Sequence, residues 1–384
     1  MLNFQLDAAA LEGHVRRAHD NPTAALPEGA LLGDGVEPMH LAALWFSPVD
    51  SETLYQVARD ARRARALELE TFSPLYITNT CDAECRMCGM RRDNDALTRA
   101  TADLAEVHEQ LRLLTARGMH AVALLTGEYA AANRPWAMRY VNQALRYTQE
   151  LGFKHVLINV GSIDTYEFDT LLASMPRHPD GRLVPYVTMS TFQETYSPHT
   201  YAKFMGTNPD NPRADFRRRL TNFDRACRAG MRVANPGILV GLNLDIAYEL
   251  TALALHVQHL QALGMEIYLS VPRLRKIAGS DSRRGLGDGD FIRLVSLLSL
   301  ALPSAKIVIT TRENAAMQQK LAPIVSVISA GSAAVAPYTD TGARFPLETS
   351  QFEVIDQRPF EAILQDHRRS GATIANFEPP QPAA

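Results

Sequence analysis

Apolar runs of strand length alternate with longer amphipathic stretches over most of the chain after residue 70. The short runs favour strands, and the longer stretches, with apolar residues at helical spacing, favour helices between them. The predicted strands are Leu75–Asn79, Ala121–Thr126, His155–Val160, Val184–Ser190, Val233–Leu242, Ile267–Val271, Lys306–Thr310 and Ile324–Ile328. The main predicted helices are Leu104–Ala116, Ala137–Leu151, Phe216–Ala229, Ile246–Leu263 and Phe291–Leu300. Eight strands alternating with helices predict an α/β fold, and a closed (β/α)8 TIM barrel is the simplest architecture for that number.

The two ends of the chain do not continue this alternation. The first 70 residues predict a helical extension, including a helix at Ser51–Leu69. Near the other end, Gln351–Ile355 is predicted as a short strand, Pro359–Ser370 as a helix, and the proline-rich tail Glu378–Ala384 as disordered. The chain is therefore divided into a helical extension, a barrel and a C-terminal cover, at residues 1–70, 71–340 and 341–384.

Composition narrows the class of protein without naming a function. The chain has 384 residues, of which 46% are hydrophobic and 21% charged, with a formal net charge of −3, as in globular enzymes. No apolar run approaches the ~20 residues of a membrane span, and no export signal is visible, so a cytoplasmic protein is expected. Basic residues cluster at Arg213–Arg219 and Arg273–Lys276, but the balanced charge does not favour a nucleic-acid surface.

Three of the four cysteines fall within eight residues, at Cys81, Cys85 and Cys88, with the spacing C-x3-C-x2-C. Iron–sulfur clusters are held by cysteine thiolates, and a cubane held by only three leaves one iron open to a reactant. The spacing, with the apolar Met87 before the last cysteine, resembles the signature of the radical S-adenosylmethionine (SAM) enzymes. That resemblance implies a [4Fe-4S] cluster whose open iron binds the amino and carboxylate groups of SAM.

The cysteines have two other interpretations, a structural zinc site and a disulfide framework. Structural zinc needs a fourth ligand and usually comes with a second cysteine or histidine pair, which this sequence lacks. The nearest histidines, His108 and His120, lie in a helical pattern and just before a strand. A disulfide framework does not suit a large chain with few cysteines. The fourth cysteine, Cys227, lies in a helical run and is predicted to be a buried apolar residue.

Polar residues follow the predicted strands at their carboxyl ends. In a (β/α)8 barrel the reactive groups stand at this end of the strands, on one face. The cysteine loop follows the first predicted strand directly. The other polar groups are Thr126–Tyr129, Asn159–Ser162, Thr191–Glu194, Pro272–Arg275, Thr311–Glu313 and Ser329–Ser332. All of them are expected at one mouth, which favours a catalytic role for the cysteines.

Four residues are candidates for binding SAM, and three of them lie at these strand ends. Glu128, after a glycine that permits close approach, is a candidate acceptor for the SAM ammonium, although a charge at a helix start is an equally simple interpretation. Arg219 is a candidate for its carboxylate, against the alternative of a solvated helix face. Glu194 is a candidate for the ribose hydroxyls or for bracing an arginine, and Ser162 for the ribose or the carboxylate.

Three further residues are candidates for the substrate. Arg312 ends a strand with a buried pattern, where its planar guanidinium suits two parallel hydrogen bonds to a carboxylate. Ser329, at the next strand end, is a candidate for a further hydrogen bond to that group. Tyr76 on the first strand is expected to point into the barrel, with a tyrosine of the core as the alternative.

Several stretches resemble the aromatic amino acid lyases of the radical SAM superfamily. They are Pro74–Cys81, Gln193–Tyr196, Asp215–Leu220, Val271–Arg275 and Ser350–Phe352. Within that family, other stretches resemble the tryptophan lyases of thiopeptide antibiotic biosynthesis, the 3-methyl-2-indolic acid synthases. They are Leu125–Tyr129, Phe204–Gly206, Asn235–Gly237, Thr310–Glu313, Val327–Ser329 and Val335–Tyr338. This sequence differs from those enzymes at Lys276, where they have proline.

The resemblance implies a radical SAM barrel that acts on L-tryptophan. A 5′-deoxyadenosyl radical would take a hydrogen from the substrate amine, the Cα–carboxylate bond would break, and the carboxyl fragment would move to indole C2. Arg312 would hold the substrate carboxylate, with Ser329 and Tyr76 completing the pocket. A reductant such as flavodoxin or ferredoxin would supply the electron. The alternatives are a tyrosine lyase that forms p-cresol and dehydroglycine, and a non-catalytic, zinc-stabilised binding barrel.

Overall fold

Eight parallel strands of the described chain close into a barrel, which confirms the predicted (β/α)8 architecture. They are β1 (Glu68–Tyr76), β2 (Ala121–Leu125), β3 (His155–Asn159), β4 (Tyr186–Ser190), β5 (Val233–Asn235), β6 (Glu266–Ser270), β7 (Lys306–Thr310) and β8 (Val327–Ser329). Each strand pairs with the next, and β1 pairs with both β2 and β8, so the ring is closed. The computed structural model describes residues 3–22, 26, 35–62, 67–280, 285–339 and 345–380.

Helices on the outside of the ring connect successive strands. They are α4 (Leu104–Ala116), α5 (Arg134–Glu150), α6 (Thr165–Leu172), α7 (Pro198–Met205), α8 (Phe216–Leu220), α9 (Asn222–Arg228), α10 (Ile246–Ala262), α11 (Asp288–Ala301) and α12 (Ala315–Leu321). Helix α4 begins where its sequence predicts a start. There Asp103 accepts a hydrogen bond from the N–H of Glu106, and the Glu106 carboxylate accepts one from the N–H of Asp103, both at 2.8 Å.

Among the described residues, three helices precede the barrel and pack on its outer layer. They are α1 (Ala8–Asp20), α2 (His40–Phe46) and α3 (Ser51–Arg62). Helix α3 lies against α11, and α2 lies against α10. The buried Arg293 joins α11 to the end of α2. Its guanidinium donates to the carbonyls of Leu44, Trp45, Ser47 and Val49. These carbonyls lie at and just after the end of α2, where a helix leaves carbonyl groups without partners inside the helix.

A polar network fills the end of the barrel where the strands begin. The ammonium of Lys306 lies 2.5 Å from the carboxylate of Glu70 and 2.6 Å from that of Glu266. His155, the first residue of β3, lies between the rings of Tyr186 and Tyr268, and its Nε2 is 2.7 Å from the hydroxyl of Thr188. This end of a barrel contributes to stability rather than catalysis, so the network is treated as structural.

Several predicted element bounds were wrong. Strand β1 begins seven residues earlier than predicted, because Glu68 and Glu70 broke the apolar pattern that the prediction followed. The predicted helix Ser51–Leu69 ends at Arg62 among the described residues, and residues 63–66 lie outside them. The predicted helix Phe216–Ala229 is divided at Thr221 into α8 and α9. The division at residues 70 and 340 stays a prediction.

After β8 the chain crosses the mouth of the barrel and then runs down its side. Residues 348–356, which we call the strap, cover the mouth without forming the predicted strand Gln351–Ile355. Helix α13 (Phe360–Arg369) follows as predicted, and an unpredicted strand β9 (Thr373–Ala375) pairs with the start of β1. Glu378 is tied to Gly118 and Lys154, contrary to the disorder predicted there, and residues 381–384 lie outside the described ones.

None of the described helices combines the length and the apolar character that crossing a membrane would need.

Candidate active site

The three cysteines of the motif lie on the loop after β1 and line one cavity at the mouth of the barrel. They are free of disulfides, as is Cys227 on α9, which is buried as predicted. The N–H groups of Ala83 and Glu128 donate to the sulfur of Cys81 at 3.4 and 3.3 Å. Burial raises the pKa of the Cys81 thiol to about 12 and raises that of Cys85 further.

This set of sulfur donors fits an iron–sulfur cluster. Three thiols converge on one cavity, and backbone N–H groups already point at one of the sulfurs, as they do around cluster ligands. A bound metal centre supplies the positive charge that stabilises buried thiolates. Within the described residues, no three His, Cys, Asp or Glu side chains are grouped so as to hold a single metal ion.

Beside the cysteine loop, Glu128 lies at the centre of a buried charged cluster. Its Oε2 accepts from Nη1 of Arg219 at 2.9 Å and lies 3.5 Å from Nε of Arg213. Its Oε1 accepts from the backbone N–H of Ser162 at 2.8 Å. The Ser162 hydroxyl is 3.3 Å from Arg219, so Ser162 stands behind the cavity wall rather than on it.

Two glycines permit this close arrangement. A Cβ at Gly161, which has φ +79°, would come within 2.4 Å of Cγ of Glu128. A Cβ at Gly127 would come within 2.1 Å of the Thr80 carbonyl and 2.7 Å of the Cys81 backbone. Only glycine fits at either position, so the loops after β2 and β3 are shaped to bring Glu128 against the cysteine loop.

Glu194 holds the second arginine of this cluster. Its carboxylate accepts from Nη2 of Arg213 at 3.1 Å, which is the bracing role that its sequence position suggested. The backbone of Glu194 has φ +69°, an uncommon conformation for a residue with a side chain. Arg219 is anchored separately, because its Nε donates to the carbonyl of Phe192 at 2.8 Å. Strained backbone next to buried charge is typical of functional sites.

Arg312 occupies the opposite wall of the cavity, directly after β7. Its guanidinium carbon lies 3.4 Å from the centre of the Phe352 ring, and Nη1 donates to the carbonyl of Arg273 at 3.2 Å. Burial lowers the pKa of Arg312 to about 10, which leaves it cationic at neutral pH. Among the described residues, no carboxylate lies within ion-pair distance of Arg312.

The neighbouring acid, Glu313, is held elsewhere. Its carboxylate accepts from Nε of Arg273 at 3.0 Å and lies 3.1 Å from Nη2 of Arg275. Both partners come from the loop after β6. The pair Arg273–Glu313 is buried, so this half of the basic cluster at 273–276 is internal and does not form a nucleic-acid surface. Arg213 and Arg219 are internal for the same reason.

Tyr76 and Ser329 complete the wall next to Arg312. Ser329 ends β8 and is paired in register with Thr310, two residues before Arg312. The hydroxyl of Tyr76 donates to Oε1 of Gln351 at 2.5 Å, and burial raises the pKa of Tyr76 well above its usual value. Both residues line the same cavity as the cysteines, as predicted from their strand ends.

The cavity has a volume of about 1450 Å³, including its opening to solvent. Apolar side chains line one part of it, among them Phe72, Leu125 and Leu157, and hydrogen-bonding side chains line another, among them Ser190, Asn235 and Ser270.

Sequence reasoning missed three residues that contribute to the site. Arg213 was seen only as part of a basic cluster, and its pairing with two acids required the fold. Gln351 and Phe352 were noted within a family stretch, but their segment was predicted to be a strand. Their contacts to Tyr76 and Arg312 join residues far apart in the chain, which no local pattern reveals.

A (β/α)8 barrel with a three-cysteine loop after its first strand, lining a cavity at the mouth of the barrel, defines the class of radical SAM enzymes. Comparison with known proteins agrees. A family model described as the Biotin and Thiamin Synthesis associated domain (BATS) matches residues 270–373. The chain is 27% identical over 358 residues to 2-iminoacetate synthase of Escherichia coli K12, covering 91% of this chain and 89% of that protein.

Solved structures give the same result. The chain is similar to HydG, a maturase of the [FeFe]-hydrogenase, with a TM-score of 0.81 and 25% identity, covering 96% of this chain and 80% of HydG. Methylornithine synthase (PylB) has the same fold, with a TM-score of 0.71 and 18% identity, covering 90% of this chain and 97% of PylB.

The resemblance of the chain to the aromatic amino acid lyases of the radical SAM superfamily is confirmed, and the chain is a radical SAM carbon–carbon lyase. Its cofactors are a [4Fe-4S] cluster and SAM, as its cysteine motif predicted. The alternative of a non-catalytic, zinc-stabilised barrel is therefore not retained.

Proposed function

We propose that this protein is an L-tryptophan lyase that forms 3-methyl-2-indolic acid. The position of Arg312 is the observation that supports an amino acid as the substrate. It is a partly buried cation at the cavity wall, stacked on Phe352, with no carboxylate partner among the described residues. A guanidinium in that position suits the carboxylate of an amino acid, which it holds with two hydrogen bonds.

The choice of tryptophan is supported by where two stretches of the sequence lie. Thr310 and Thr311, from the stretch Thr310–Glu313, line the cavity beside Arg312. In the stretch Val335–Tyr338, Val335 forms a backbone bridge with Tyr76, and the Tyr338 hydroxyl lies 2.5 Å from the carbonyl of Pro74. Both stretches resemble the tryptophan lyases, and their contacts favour a role in selecting the substrate.

We assign the remaining residues by their contacts. Cys81, Cys85 and Cys88 would hold the cluster, and Arg312, Ser329 and Tyr76 would hold the substrate. Around SAM, Arg219 would bind the carboxylate. Glu128 would orient Arg219 and accept from the SAM ammonium, with Ser162 and Glu194 fixing the same group of charges. These last four assignments rest on the buried hydrogen bonds that join Glu128 to both arginines.

When bound, the cluster and SAM supply a 5′-deoxyadenosyl radical that removes a hydrogen atom from the substrate amine. The Cα–carboxylate bond would then break, and the carboxyl fragment would add to indole C2. The Cα–Cβ bond would also break, so that Cβ becomes the methyl group of the product and Cα leaves with the amino nitrogen as methanimine. The contribution of the chain is placement, because a radical abstracts the hydrogen that lies closest. Arg312 fixes the carboxylate, while apolar residues such as Phe72 and Leu157 exclude water that would divert the reaction.

Product analysis tests this proposal. The reconstituted, reduced enzyme is incubated anaerobically with SAM and either L-tryptophan or L-tyrosine, and the products are separated by mass. We expect 3-methyl-2-indolic acid from tryptophan. Formation of 5′-deoxyadenosine without any indolic product would contradict the substrate assignment while leaving the class of enzyme intact.

Tyrosine cleavage is the second candidate, because the curated relative is a 2-iminoacetate synthase. This reaction breaks the Cα–Cβ bond and gives p-cresol with dehydroglycine, which is 2-iminoacetate. The carboxylate site at Arg312 suits tyrosine equally well. p-Cresol in the tyrosine incubation, with no product from tryptophan, would establish it.

The electron must come from outside the chain. We propose a flavodoxin or ferredoxin as donor and the cytoplasm as the compartment, since the four cysteines are free thiols. Reduction of the reconstituted cluster by either carrier, followed by its EPR signal, tests this partner.

A further inference from the structure

One amide on the strap joins a cysteine of the cluster motif to the substrate pocket. Oε1 of Gln351 accepts from the Tyr76 hydroxyl at 2.5 Å, and its Nε2 donates to the sulfur of Cys88 at 3.3 Å. Two backbone hydrogen bonds also hold Gln351 in place. The N–H of Gly89 donates to the Gln351 carbonyl at 3.0 Å, and the N–H of Gln351 donates to the Ala333 carbonyl at 3.2 Å.

The backbone of the strap lies in close contact with the cysteine loop at the bridge that Gln351 forms. A Cβ at Gly89 would come within 2.7 Å of the Gln351 carbonyl oxygen and 3.0 Å of that of Ser350. The residue after Cys88 must therefore be glycine for the strap to reach the loop. Further along the strap, Glu353 and Ile355 bond to the loops after β6 and β7.

The chemistry of the sulfur decides which way the amide faces. A cysteine that ligates a cluster is a thiolate, which only accepts hydrogen bonds, and the amide NH2 only donates them. Nε2 must then face Cys88, and Oε1, which only accepts, must face Tyr76. The Tyr76 hydroxyl gives its one hydrogen to Gln351, so its oxygen offers only lone pairs to the cavity.

We propose that Gln351 is a positioning residue with two effects. Its N–H stabilises the added negative charge on the reduced cluster through Cys88, which raises the reduction potential. Its carbonyl oxygen fixes Tyr76 as an acceptor for an N–H group of the substrate. The first effect depends only on the cluster, whereas the second rests on the proposed function, because it requires an amine or indole N–H in the pocket.

Two substitutions separate these effects. Gln351→Met keeps the length of the side chain but removes both hydrogen bonds, and Tyr76→Phe removes only the hydroxyl. Glu353→Gln, on the same strap, is the matched control, because its backbone contact is retained. For each variant the iron content is measured, the potential of the cluster is determined without substrate by spectroelectrochemistry, and the affinity for tryptophan is measured with SAM bound.

We expect Gln351→Met to load iron normally and to have a more negative potential than the wild type. Its affinity for tryptophan should fall roughly three- to ten-fold, the usual weight of one hydrogen bond. Tyr76→Phe should lose a similar affinity at the wild-type potential, and the double variant should lose little more than either. An unchanged potential in iron-loaded Gln351→Met, or an equal shift in Tyr76→Phe, would overturn the proposal.

A second variant keeps the test decisive if Gln351→Met does not hold iron. Gln351→Glu still accepts from Tyr76 but has no N–H for Cys88, so its potential should again be more negative. A potential equal to or above that of the wild type would contradict the bridge. If the wild-type enzyme itself does not bind tryptophan, the proposed function fails, while the comparison of potentials remains valid.

Discussion

Arg312 lies over the ring of Phe352, with its guanidinium carbon 3.4 Å from the centre of the ring. Phe352 follows Gln351 on the strap, so two adjacent residues hold groups from two distant strands, Tyr76 on β1 and Arg312 after β7. Stacking on an aromatic ring fixes the plane of a guanidinium and leaves its edge free for hydrogen bonds. The strap therefore sets the orientation of both proposed substrate contacts.

Replacing Arg312 by lysine should weaken substrate binding although the charge is kept. Lysine offers neither the planar pair of donors nor the stacking on Phe352. We expect the dissociation constant for tryptophan to rise about ten- to hundred-fold, as for the loss of a charge-assisted hydrogen bond. Equilibrium binding to the SAM-loaded protein measures this. Arg217→Lys, at an exposed position on α8, is the control, and equal effects of the two substitutions would refute the carboxylate site.

Removing one motif cysteine should abolish the cluster, whereas removing the fourth should not. Cys85→Ala leaves too few thiolates for a cubane, so iron content and 5′-deoxyadenosine formation should both be lost. Cys227→Ala shortens a buried side chain on α9, away from the cavity, and should cost only about 1 kcal/mol of stability. Iron and sulfide analysis after reconstitution measures both. Normal iron loading in Cys85→Ala would contradict the assignment of the cluster ligands.

Glu128→Gln should destabilise the protein even without cofactors. The change removes the negative charge that lies 2.9 Å from Arg219 and 3.5 Å from Arg213, both of which are nearly buried. Breaking a buried pair by removing one partner typically costs 3–5 kcal/mol, and we expect about 3, because Arg213 keeps Glu194. Urea unfolding of the apoprotein measures this.

The matched control for that substitution is Glu109→Gln. Glu109 is half exposed and pairs with Arg112 one helical turn away, so its loss should leave the stability close to that of the wild type. Binding of SAM should weaken in Glu128→Gln and stay unchanged in the control. A Glu128 variant as stable as the wild type would show that the two arginines are not held by this carboxylate.

His155, at the start of β3, should make the protein less stable as the pH falls. Burial, together with the positive charge of Lys306, lowers the pKa of His155 from 6.5 to about 3 in the folded protein. As the pH falls, His155 takes up a proton in the unfolded chain before it does so in the folded protein. The contribution of neutral His155 to the free energy of unfolding is therefore complete above pH 6.5 and is lost progressively between pH 6.5 and pH 3. Each such group contributes a slope of up to about 1.4 kcal/mol per pH unit.

His155→Gln should therefore flatten the acid side of the stability profile. Urea unfolding at pH 7 and pH 5 compares the wild type, this variant and His40→Gln, which changes an exposed histidine. The wild type and His40→Gln should lose about 2 kcal/mol more than His155→Gln over that interval. The buried His256, whose pKa is also lowered to about 3 by burial, remains in all three. Equal losses in the three proteins would contradict the prediction.

The barrel and most of its mouth were predictable because they follow from local patterns. Strands such as His155–Asn159 are short apolar runs between helices, and parallel strands place their carboxyl ends together. That rule alone predicted that Arg312, Ser329, Glu194 and the cysteines would line one cavity.

What the sequence could not reveal depends on contacts between distant residues. Arg213 and Arg217 look alike in the sequence, but one is held by two acids inside the site and the other is exposed. The strap forms no helix or strand beyond the end of a short 3-10 helix at Leu347–Thr349, so periodicity predicted the wrong element at Gln351–Ile355. Its position is set by hydrogen bonds to the loops after β1, β6, β7 and β8, which only the folded chain brings together.

The order of the chain has a consequence for how the enzyme is made. The cysteine loop leaves the ribosome before the strap, because Gln351 follows Tyr76 by 275 residues. The mouth of the barrel therefore stays uncovered until the strap has also been synthesised. Any machinery that delivers iron and sulfide has access to the cysteines until then, and the strap afterwards covers the finished cluster.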